Sequence, residues 1–119
     1  MGTPVIINEG LNRIAQLLLD DLDYCGVGTG TNAPAAGDSQ LQTETNRQLI
    51  TKGFRNGNVA NGRFLFENSN LPSTLQEIGA FLNATASANN GEMAMRTLET
   101  FVKGSADLLV VTEFTVSEA

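Results

Sequence analysis

Gly26-Val27-Gly28-Thr29-Gly30-Thr31-Asn32-Ala33-Pro34-Ala35-Ala36-Gly37-Asp38 separates a nucleotide-binding fold from a β-rich one. A phosphate-binding loop needs its glycines to open directly into a helix, so that amide N–H groups and the positive helix end meet the anion. Here the glycines run into Asn, Pro and small residues, which cannot continue a helix from that turn. The spacing is G-x-G-x-G, not G-x-G-x-x-G, and no Gly-Lys-Ser/Thr follows. Nucleotide binding is therefore set aside. The stretch reads as a strand end turning into a long surface loop, Thr31 to Gln42, with one helical turn after Asp38. Glycine at Gly26–Gly30 permits positive φ and close chain approach without any ligand.

On the N-terminal side of the loop, Leu11, Ile14, Ala15 and Leu18 recur at helical spacing, with Leu17 and Leu19 broadening the stripe. This predicts an amphipathic helix over about residues 8–20, with Asn8 as N-cap and Glu9 in the first turn. It ends in the acidic cluster Asp20, Asp21 and Asp23, because negative charge opposes the dipole at a helix C-terminus. Its apolar face needs a sheet to cover.

On the C-terminal side everything reads as β, over residues 24–118. The expected strands are Tyr24–Val27, Gln48–Phe54, Arg63–Glu67, Leu75–Leu82, Glu92–Glu99 and Leu108–Val116. Phe64 and Phe66 share one face of their strand and Leu65 takes the other. In the fifth of these, Glu92–Glu99, Met93, Met95 and Thr97 alternate with Ala94, Arg96 and Leu98. Asn56-Gly57 and Asn61-Gly62 both favour positive φ and predict a hairpin connection over Arg55–Arg63, and Asn90-Gly91 marks another tip. Ser69–Ser73, with Pro72, reads as a turn. The last strand places Leu108, Val110, Thr112, Phe114 and Val116 on one face. Its other face begins with Leu109 and Val111, which predicts a central strand or one that meets a partner. The fold class is mainly β (α+β): an antiparallel β-sandwich or bent sheet of about six strands with one N-terminal amphipathic helix packed on it.

The 119 residues suit a single domain, 1–119, near the common domain size of roughly 100–150 residues. Net charge is −6, which repels phosphate backbones and anionic membrane surfaces, so neither nucleic acid nor membrane is an expected partner. There is no His, the residue most used as a general base near neutrality and the commonest metal ligand. The single Cys25 excludes an intramolecular disulfide and reads as a small buried hydrophobe in an acidic neighbourhood. No run reaches the ~20 apolar residues of a membrane span, and no secretory signal pattern opens the chain. Asp20-Asp21-Leu22-Asp23 lacks the spacing and glycine bend of a calcium loop and reads as a solvated helix end. Ser and Thr nucleophiles lack a His partner, G-x-S-x-G is absent, and Lys52 and Lys103 sit in no activating context. The expectation is a non-enzyme with no cofactor, no metal and no small-molecule substrate.

The order of motifs resembles a group of tailed-phage virion proteins, the tail-fibre and related structural proteins with a small β-rich N-terminal module. The matching features run from Asn8-Glu9-Gly10-Leu11-Asn12-Arg13-Ile14 through YCGVGTGTNAPAAGDSQL (24–41), NGNVANGRFLFEN (56–68), LQEIGAFLN (75–83), GEMAMRTLE (91–99) and LLVVTEFTV (108–116). In that family the G-T-G-T-x-A-P loop leads into a segment bearing Leu, Glu and Arg, positions held here by Leu41, Glu44 and Arg47. The resemblance covers nearly the whole chain and rests on order and spacing. It implies a virion structural protein made in the host bacterial cytoplasm, partnered by copies of itself, as a trimer for instance, and by other virion proteins. With no shaft or receptor-binding tip following the module, the expected place is an adaptor or tip component of the tail. A protein decorating the capsid is the alternative. From other classes, a small carbohydrate-binding β-sandwich would want exposed aromatics, and a hydrolase would want a cleft with a perturbed carboxyl. The candidate subunit-contact loop is Thr31, Asn32, Ala33, Pro34, Asp38 and Gln42; the candidate interface strand is Leu109 and Val111.

Overall fold

The computed structural model describes residues 2, 4–67, 71, 72, 74–88, 90–102 and 104–117. Among them run one helix, α1 (Asn8–Asp21), and seven strands: β1 (Leu22–Gly28), β2 (Glu44–Leu49), β3 (Lys52–Asn56), β4 (Val59–Phe66), β5 (Thr74–Leu82), β6 (Glu92–Val102) and β7 (Leu108–Thr115). The strands form two antiparallel sheets, ordered β2-β1-β5-β6 and β3-β4-β7. The turn expected over Ser69–Ser73 lies largely outside the described residues, as does Lys103.

The two sheets bury their facing sides against each other. Cys25 and Val27 of β1 and Leu75, Ile78 and Ala80 of β5 meet Phe64 and Phe66 of β4 and Val110 of β7. Strand alternation does this directly: Phe64 and Phe66 are buried while Leu65 between them is exposed, as their spacing predicts. The helix packs on β3 and β4 beside this core, with Ala15 fully buried.

Several local expectations are corrected. The N-cap is Ile7 rather than Asn8: its carbonyl accepts the N–H of Gly10 and Leu11, and no side chain caps the first turn. Leu22 ends the helix and starts β1 with no loop, because its N–H still reaches Leu18 and Leu19 while its ψ of 111° is extended. The strand expected over Gln48–Phe54 is two strands in different sheets. Ile50 donates to Asp23 O in the first sheet at 2.7 Å, and Thr51 donates to Arg63 O in the second at 2.7 Å, so the chain changes sheets between them. Of the two Asn-Gly steps, only Asn56-Gly57 makes the hairpin, with φ +60° at Gly57. Asn61-Gly62 lies inside β4, where a Cβ at Gly62 would sit 2.9 Å from both Leu22 Cδ2 and Thr112 Oγ1. A register shift opposite Ala80 and Phe81 breaks the expected alternation of β6: Met93 pairs with Phe81 and Met95 with Ala80, so the two methionines take opposite faces. Finally, β7 is not central but an edge of the three-stranded sheet.

Candidate functional site

The four-stranded sheet is covered on its outer side too, by the chain between β1 and β2. Gly26 of β1 and Gly79 of β5 are paired, and together they leave a trough in the outer face. Leu41 fills it: a Cβ on Gly26 would lie 3.1 Å from Leu41 Cδ1, and one on Gly79 2.9 Å from Leu41 Cδ2. Leu41 is accordingly 1% exposed. The glycines serve close approach rather than unusual backbone. Positive φ occurs at Gly57, Gly91 and Gly104 among the described glycines, not at Gly26, Gly28 or Gly30.

Next to this trough sits Glu77, wholly buried in β5 and turned to the same face. Its Oε2 accepts the N–H of Gly30 at 2.7 Å and of Thr43 at 2.8 Å. Its Oε1 accepts the N–H of Gln42 at 2.9 Å and both Nε and Nη2 of Arg96 at 3.2 and 3.1 Å. Burial alone would raise the Glu77 pKa. The three backbone N–H groups and the Arg96 guanidinium outweigh it and hold the carboxyl below its ordinary value. One carboxylate thus ties both ends of the loop to the sheet. A Cβ at Gly30 would collide with the Glu77 carboxylate, and one at Gly28 with the carbonyl of Thr43.

The loop is braced further out. Gln42 Oε1 accepts the N–H of Thr31 and Asn32 at 2.8 and 2.9 Å. Asp38 Oδ2 accepts the N–H of Ala35 at 2.9 Å and lies 3.3 Å from Arg96 Nη1. The turn expected after Asp38 falls instead at Ala35–Asp38, closed by Asp38 N–H to Ala35 O at 3.0 Å.

Further along the same face, Arg47 and Glu44 form a buried two-point ion pair, at 2.7 and 2.9 Å. Arg47 Nη1 also donates to the carbonyls of Thr85 and Asn90, both at 3.0 Å, and its guanidinium lies 4.3 Å from the centre of the Phe81 ring. The structure therefore gathers Leu41, Glu44 and Arg47 on one outer face. Among the described residues no buried side-chain polar atom is left without a partner. These carboxylates and guanidinium groups are spent on each other and on backbone, which fits them for holding chain segments in place. Cys25 lies on the core side of β1, and burial, then the Glu44 charge, pushes its thiol up. At the helix end, Asp23 accepts the N–H of Ala84 at 3.1 Å, and no group of acidic, Cys or His residues among those described could hold a metal ion.

The sequence-predicted positions fall on two separate surfaces. Thr31, Asn32, Ala33, Pro34, Asp38 and Gln42 are all exposed, on the outer side of the four-stranded sheet. Leu109 and Val111 point outward from the three-stranded sheet, on the opposite side of the sandwich, and are 54% and 55% exposed. There Leu109 pairs with Leu65, and Val111 pairs with Arg63, whose guanidinium lies 5.5 Å from the Phe54 ring centre. Sequence reasoning missed Glu77 and Arg96. The one available signal was an acidic residue inside the strand LQEIGAFL, apolar but for it and Gln76, two positions before a glycine.

No protein-family model matches this chain, and no curated protein sequence is significantly similar to it. No helix among the described residues is long and apolar enough to cross a membrane.

Proposed function

We propose that this chain is a non-enzymatic bacteriophage virion structural protein, an oligomeric subunit of the tail or tail-fibre assembly. The motif order that resembles tail-fibre modules suggests the setting. The observation that carries the assembly role is the outer face of β3-β4-β7, where Leu65, Leu109, Val111 and Phe54 are all exposed. Two of these are directly paired across β4 and β7, so they form a patch rather than scattered positions. Contiguous apolar surface of this kind marks association sites. The loop from Thr31 to Asp38, held out rigidly by Glu77, Gln42 and Arg96, supplies a second, polar contact region on the other side.

The deciding experiment is to locate the chain in an electron-microscopy map of the whole particle. Density on the tail is the expected result. Density on the head lattice alone would replace this reading with capsid decoration, and absence from the particle would end both. The loop's share is checked by Asn32→Arg with Ala33→Arg. Deleting Thr31–Gln42 is a poor test, because it removes Leu41 from its seat and unfolds the outer face. The double substitution should block particle incorporation while leaving the melting temperature unchanged.

A further inference from the structure

The apolar arc of α1 is wider than the sheet beneath it. Ala15 is buried and Leu11, Leu18 and Leu19 are half-buried, whereas Ile14 and Leu17 remain 45% and 52% exposed. Ile14 and Leu17 stand three positions apart on one flank, the a-to-d step of a helix-pairing seam, and the exposed N-cap Ile7 lies just beyond its N-terminal end. Two charges border that seam. Arg13 and Asp20 are both exposed and stand one heptad apart, hence on the same side of the helix. Asp20 receives Gln16 Nε2 at 2.8 Å and keeps acceptor capacity on its other oxygen. Arg13 has no ion pair with any described residue.

We propose that α1 pairs antiparallel with α1 of a second copy of this chain, about a two-fold axis passing between Ala15 and Gln16. In that register Ile14 packs against Leu17 of the copy, and Leu17 against its Ile14. Arg13 then faces the copy's Asp20, and Asp20 faces its Arg13, so the flank is complementary to itself. The neighbouring register, one heptad toward the N-terminus, would seat Ile14 against Gly10 of the copy but bring the two Arg13 side chains together. A parallel pair would set Arg13 against Leu18 and leave both charges without an opposite. Charge thus selects one arrangement among those the apolar spacing allows.

The helix is 14 residues, or about 21 Å, long. A pair of that length covers less than the roughly 1,200 Å² of a standard stable interface, so the dimer is weak and is read at high protein concentration and low salt. This contact is on a different surface from the outer face of β3-β4-β7 and does not rest on a place in a virion.

The test is charge exchange, carried out in a Val111→Glu background so that the sheet face does not contribute. Sedimentation equilibrium should show concentration-dependent dimers for the parent. R13D and D20R alone should each weaken dimerisation about ten-fold, since each turns two opposite-charge contacts into like-charge ones. Mixed in equal amounts, the two variants should recover the parent's affinity, because a mixed pair restores both opposite-charge contacts. Leu17→Ser should weaken the dimer in either setting. Unchanged circular dichroism and melting temperature exclude misfolding of these exposed variants. A parent that stays monomeric up to millimolar concentration overturns the proposal, as does a mixture that associates no better than its components.

Discussion

Replacing Glu77 with Gln keeps the side chain's volume but turns an NH₂ donor toward N–H groups that Gly30, Gln42 and Thr43 already present to it. It also leaves Arg96 without its buried counter-charge. Removing one partner from such a network should cost about 3 kcal/mol by urea denaturation. The same carboxylate sets a pH dependence. Its folded pKa lies below the ordinary value of 4.5, so the unfolded chain binds the proton more readily. The stabilisation is therefore complete above the ordinary carboxylate range and is lost as pH falls from about 4.5 through the folded value. The unfolding free energy should drop over that acid window, and E77Q should flatten that part of the profile. Gly30→Ala should destabilise by about 1–3 kcal/mol without altering the core, because its Cβ meets the carboxylate itself. None of this was legible at the level of residue types. A Glu in a strand reads as a solvated side chain, and only the return of the loop over the outer face of β5 buries it.

At the scale of elements, the loop between β1 and β2 is a lid whose only large apolar side chain in the trough is Leu41. Leu41→Ala should cost about 2–4 kcal/mol, measured by thermal or urea unfolding, because the paired glycines beneath it cannot close the void. The amphipathic helix, the β5 and β7 strands and the Asn56-Gly57 hairpin were legible because each is a local pattern: helical spacing, alternation, or a turn that requires positive φ. The break between β2 and β3 was not, since Gln48–Phe54 keeps an extended-strand composition throughout and its division follows from two hydrogen bonds to different sheets. The interior position of Asn61-Gly62 is likewise tertiary: the step looks like a turn, but Leu22 and Thr112 press on the glycine from neighbouring elements. The edge position of β7 could not be read from a strand that is apolar on both faces, because a partner chain and a central place in the sheet leave the same pattern.

Across the whole molecule, the two surfaces singled out from sequence face away from each other, and a single partner copy cannot cover both in one contact. Val111→Glu adds charge to an exposed position and should change the free energy of unfolding by no more than ~0.5 kcal/mol, while lowering self-association in light scattering. A fall in stability with unchanged association would show that Val111 supports the fold instead. Cys25 lies in β1, hydrogen-bonded on one side to β2 and on the other to β5, and its side chain has no exposed surface. Because its side chain faces Phe64, Phe66 and Val110 of the other sheet, a thiol-reactive dye can reach it only in molecules whose sandwich has opened, so the labelling rate is a stopwatch for that event. The rate should climb with urea as steeply as global unfolding does; a clearly shallower climb would reveal a partial opening that uncovers the thiol while the rest of the protein stays shut.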